Sequence, residues 1–223
     1  MRASRWPGAV ALGCVIVPGL ARALVAIIQP GPTEIYLQVG DGAYNLTTAN
    51  PDHLRGATPA RNPTINQVAV TVPGAQLGNG REVPMRSDST VTKSFYDASG
   101  SFSVCLPARG EVYVGGWWRN AAAGTGPAQL SVQAPVNLTS GGHTIPFADI
   151  RWQAAWNVPA RSGAAPSEDV ASGHFRADGG ALTLATIPPQ EWHENCHSFF
   201  YANRAIKPAG VYRGRVTYTL VSP

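Results

Sequence analysis

Over the last fourteen residues, GVYRGRVTYTLVSP, large apolar side chains recur at every second position: Tyr212, Val216, Tyr218 and Leu220, with Gly214 completing the set. Arg213, Arg215, Thr217 and Thr219 fill the alternate positions. Period-two alternation of β-branched and aromatic residues predicts a strand that begins at Gly210 and has one buried face and one wet face. No proline interrupts it before Pro223, so its backbone is free to pair on both sides. Shorter stretches of the same kind lie upstream, at 35–39, 68–72, 102–105, 112–114, 130–132, 182–184 and 199–201.

Turn chemistry separates these stretches, at Gly40-Asp41-Gly42, Gly78-Asn79-Gly80, Gly141-Gly142 and Asp178-Gly179-Gly180. Helical spacing is scarce. Many short alternating segments between glycine-rich turns predict an all-β chain folded as a β-sandwich. Residues 44–64 and 157–171 are rich in small, polar and proline residues and are expected to be surface loops. A break near 121–127 or Pro135 would divide the chain into two lobes, but one sandwich domain over 24–223 is the simpler expectation.

The N-terminus changes the electrostatic picture. Arg2 and Arg5 precede an apolar run from Ala9 to Leu20, and Ala21-Arg22-Ala23 supplies a small-x-small cleavage pattern. This order predicts a signal peptide over 1–23 and export to the periplasm, then the cell surface or medium. Without it the chain keeps 14 basic and 13 acidic side chains, a net charge of +1. No basic run survives, which argues against a nucleic-acid partner. No second long apolar run follows, so no transmembrane anchor is expected. Cys105 and Cys196 remain after the signal, and two cysteines in an oxidising compartment are expected to pair. The bond would close a loop of about ninety residues, a constraint of roughly 4–5 kcal/mol in the chain-entropy model.

The densest group of ligand-type side chains is His193-Glu194-Asn195-Cys196-His197. Imidazole and thiolate suit zinc or copper, so His193, Cys196 and His197 form a metal hypothesis. A thiolate ligand would leave Cys105 alone, and no methionine follows Cys196, so neither metal nor cofactor is expected. For catalysis no Gly-x-Ser-x-Gly elbow exists. Ser172-Gly173-His174, Gly142-His143 and Glu168-Asp169 are more simply turn and loop residues. A non-enzymatic protein is therefore expected. Trp117, Trp118, Trp152 and Trp156 could instead stack on sugar rings, which defines an alternative reading as a self-contained, carbohydrate-binding sandwich.

The export signal, the two-cysteine all-β chain and the ending together resemble subunits of chaperone–usher pili and the related spore-coat-U-like secreted proteins. In that family a glycine often stands fourteen residues from the end, as Gly210 does, ahead of an alternating strand such as Tyr212, Val216, Tyr218 and Leu220. The penultimate residue is Ser222, where the family often has tyrosine. The resemblance implies an immunoglobulin-like sandwich lacking one strand. Its partners would be a periplasmic chaperone and then like subunits, each adding a β-strand, with a glycan or surface receptor beyond. Leu24, Val25, Ile27 and Ile28, ahead of Pro30-Gly31-Pro32, would be the donor segment; an ordinary first strand is the other reading of these residues.

Overall fold

The computed structural model describes residues 34–42, 65–92, 105–119, 126–155 and 168–222. The expected signal peptide, the donor segment Leu24, Val25, Ile27 and Ile28, the loop at 44–64 and Trp156 lie outside the described residues. In chain order the strands are β1 (Glu34–Val39), β2 (Val68–Ala69), β3 (Val83–Pro84), β4 (Arg86–Ser87), β5 (Val112–Arg119), β6 (Ala128–Gln133) and β7 (Asn137–Ser140). They continue as β8 (His143–Pro146), β9 (Ile150–Ala155), β10 (Gly173–His174), β11 (Leu182–Ile187), β12 (Trp192–Tyr201) and β13 (Thr217–Val221). Helix among the described residues is confined to three short 3-10 turns, and none is long and apolar enough to cross a membrane.

Every strand pair among the described residues is antiparallel. A six-stranded sheet runs β1-β5-β12-β9-β10, with β3 also paired to β12. A three-stranded sheet runs β11-β6-β13. The pair β2–β4 and the hairpin β7–β8 form two further two-stranded sheets. One core joins the two larger sheets: Val112, Val114, Trp118, Trp152 and Phe199 from the first pack with Leu130, Val132, Leu184 and Ile187 from the second. Burying each such side chain contributes about 1.5–3 kcal/mol, so this shared core is the main cohesive term. The Trp118 indole N–H also donates to Ile187 O at 2.6 Å, a tie from sheet to sheet.

The strands differ in sequence character because they differ in exposure. β6 has water on one side and alternates buried and exposed residues. By contrast β5 (VYVGGWWR) is buried along both faces over its described side chains, so its apolar residues run together without alternation. β12 behaves similarly through its middle. This explains why period-two reasoning finds only 112–114 and 199–201 of two much longer strands. The 68–72 stretch forms strand only at Val68–Ala69, and Cys105 lies outside any strand.

Two further expectations are corrected. The C-terminal strand does not run unbroken from Gly210. Regular pairing begins at Thr217, and before it only Arg213 forms a bridge, to Thr139. Between those two points five residues, 134–138, face three, 214–216, so the ladder cannot continue in register. The segment 168–171, expected at the surface, contains a fully buried Val170.

Candidate functional site

β13 sits at the margin of its sheet. It pairs with β6 from Thr217↔Gln133 to Val221↔Gln129, and no strand lies on its other side among the described residues. The alternation holds through the whole segment. Tyr212, Val216, Tyr218 and Leu220 are partly buried against the core, while Arg213, Arg215, Thr217 and Thr219 are exposed. Burial of its hydroxyl end raises the Tyr218 phenol above the ordinary tyrosine range.

Glycines set the path of this segment. A Cβ on Gly214 would collide with the Phe147 ring, so only glycine lets the chain pass there. Gly210, four residues earlier, lies beside Ser140 at the β7 end, and Tyr212 anchors the bend by donating its hydroxyl to Pro208 O at 2.9 Å. Across the core, Gly116 of β5 leaves the hollow that Leu220 occupies. A Cβ at Gly116 would stand 3.2 Å from Ile187 Cδ1 and 3.4 Å from Leu220 Cδ2. Gly116 therefore shapes the seat of β13, although it lies about a hundred residues away in sequence.

The outer face of the first sheet carries a second buried layer. Cross-strand register places Tyr36, Trp117 and Trp192 in one row, Gln38, Gly115 and Glu194 in the next, then Tyr113, Cys196 and Ala155. Cys196 is at bonding distance from Cys105, with Sγ–Sγ 1.95 Å and Cα–Cα 5.3 Å. Tyr113 folds across Gly115, where any Cβ would strike its ring, to donate its hydroxyl to Glu194 Oε2. The Trp192 indole N–H donates to the same oxygen at 2.5 Å. Glu194 is thus a buried carboxylate held by hydrogen-bond donors, the arrangement that makes burial of a charge tolerable.

Strand geometry separates the three side chains of the metal hypothesis. Register puts His193, Asn195 and His197 on the inner face of β12, whereas Cys196 points outward to Cys105. Side chains of opposite parity on one strand cannot converge on one ion. Glu111 does lie beside both sulfurs, with donor atoms within 4.8 Å of one another, but the sulfurs are bonded to each other and offer no thiolate.

The catalytic candidates remain scattered. His143 and His174 are exposed, and Ser172 donates its hydroxyl to Glu168 at 2.9 Å rather than to a histidine. Of the tryptophans, Trp117, Trp118 and Trp152 are buried, at 9, 0 and 2% exposure, so none of the three presents a face to a sugar. Sequence reasoning misses the Gly115-Gly116 pair and the Tyr113–Glu194–Trp192 contact. The signal available is a glycine pair inside an aromatic, β-branched strand, which marks close approach by a neighbour. The fold and site define an all-β protein of antiparallel sheets, with one sheet margin left open among the described residues. No protein-family model, curated protein or solved structure matches the chain.

Proposed function

We propose that the protein is an exported, non-enzymatic structural or adhesive surface subunit whose immunoglobulin-like sandwich is one strand short and is completed by a strand from another chain. The observation that carries this reading is the margin at β13. Its inner face, Val216, Tyr218 and Leu220, is only partly buried, while Leu130 and Val132 on the adjoining β6 are buried to 0 and 2% exposure. A strand laid along β13 would pair its outward backbone groups and cover those side chains. Main-chain hydrogen bonds would give affinity and alternate side chains would give register.

The occupant is an apolar segment equivalent to Leu24, Val25, Ile27 and Ile28 of a second copy, preceded during export by a strand of a periplasmic chaperone. The proline-rich stretch Pro30-Gly31-Pro32 would let that segment depart from β1. The buried tryptophans weigh against the carbohydrate-binding alternative.

The test is the oligomeric state of the chain beginning at Leu24, compared by sedimentation with the same chain lacking 24–28. The reading expects concentration-dependent oligomers from the first and none from the second. A chain that stays monomeric and protease-resistant at all concentrations would overturn it.

A further inference from the structure

The segment 168–172 has the composition of a loop but is held inside the molecule by side chains. Val170 N–H donates to Asn195 Oδ1 at 2.7 Å, and Val170 O accepts from His197 Nε2 at 3.1 Å. Ala171 O accepts the Trp152 indole N–H at 2.8 Å, and His193 Nδ1 stands 3.4 Å from Asp169 O. These four side chains lie on the inner face of the first sheet, where three of them meet consecutive carbonyls, 169–171, and Asn195 accepts from the Val170 N–H, in place of a strand. On the opposite side Ala171 N–H donates to Leu184 O of β11 at 3.0 Å. The segment is fastened to both sheets.

His197, fully buried, is the chemically vulnerable member of this arrangement. Donation to Val170 O requires the proton on Nε2, which leaves Nδ1 as a bare lone pair. That nitrogen is buried without a hydrogen-bond partner among the described residues. The ring stacks on Trp152 at 6.1 Å and meets Phe199 edge-on at 6.4 Å. Protonation would place a second N–H and a positive charge in that apolar surround. Burial accordingly pulls the imidazole down to about 4, against the opposing pull of its bond to Val170 and the charge of Glu168.

We propose that residues 168–172 form an acid-releasable strap, closing the β9–β11 margin of the core, and that protonation of His197 releases it. The other titratable groups facing this region are few. The strap brings Glu168, engaged by Ser172, and Asp169. The inner face of β12 adds His193, with Glu191 at 3.4 Å from its Nε2, and Tyr201. β5 presents Val112 and Val114, β9 presents Ile150 and Trp152, β10 presents Gly173 and β11 presents Leu184, none of which titrates. This margin is separate from β13, so the strap stands or falls independently of strand exchange.

The experiment is backbone hydrogen exchange of the full chain at pH 7 and pH 3.5, each corrected for intrinsic rate, in wild type and His197→Gln. The carboxamide of glutamine can still donate to Val170 O but gains no charge. Wild type should lose protection over 168–172 in acid by at least about tenfold relative to β6, and His197→Gln should keep it. Equal loss in both proteins, or no loss in wild type, overturns the proposal. Should His197→Gln not fold, imidazole nitrogen NMR of wild type decides. An Nε2–H tautomer that protonates only below about pH 5, together with loss of strap protection, supports the proposal. Protonation near the ordinary histidine value with the strap still protected overturns it.

Discussion

A methyl group added at Gly116 is the smallest change that should disturb the β13 seat. Its Cβ would meet Ile187 at a distance tighter than most real contacts and Leu220 at van der Waals contact, and the branched side chain of valine would push further into both. Gly116→Val should therefore lower stability by about 1–3 kcal/mol, read as a shift in the urea midpoint. At Gly80, where an added Cβ meets nothing, the cost would come only from the left-handed backbone. His197 gives a pH prediction at the same scale. Its imidazole falls from the ordinary 6.5 to about 4 in the folded chain. Between these values the unfolded chain binds a proton that the folded chain does not, so stability falls as pH drops from about 6.5 towards 4 and then levels off. The loss from this group is about 3 kcal/mol, and the pH dependence of the urea midpoint should flatten over that window in His197→Gln.

At the scale of the element, β13 should behave as a strand whose inner face is partly buried. Leu220→Ala removes packing against the core beside Gly116 and should cost about 1–3 kcal/mol, towards the low end for leucine because Leu220 is only partly buried. Thr219→Ala on the exposed face should stay within about 0.5 kcal/mol. The same element shows how far the sequence can be read. The inward set Tyr212, Val216, Tyr218 and Leu220 is legible because one face is wet. Its interruption is not, because it depends on the two-residue mismatch against 134–138 across the ladder. β5 and β12 are only partly legible, since burial on both faces erases alternation. The strap escapes a sequence reading for a related reason. Its small and polar residues suit a loop, and its burial depends on Asn195, His197 and Trp152 donating to and accepting from its backbone. Such partners lie far away in sequence and leave no local pattern.

Across the whole molecule, the two margins of the shared core are treated differently. At the β9–β11 side a strap joined to both sheets closes the interior. At the β13 side no described strand completes the sheet, and β1 passes close by without pairing to it. The layer containing Cys105–Cys196 and Glu194 lies on the outer face of the first sheet, opposite to the face on which Leu220 sits. The core thus has a strap on one side and no described partner strand on the other, and the margin at β13 is where the proposed strand would add.

The most direct measurement is amide exchange of β13 in the chain that begins at Gln29, with and without a synthetic peptide of residues 24–33. Strand completion predicts that the amides of Thr217–Val221 that point away from β6 exchange rapidly alone and gain protection when the peptide binds, while those paired to β6 change little. Amides of that strand already protected throughout in the isolated chain, or unaltered by saturating peptide, would contradict it.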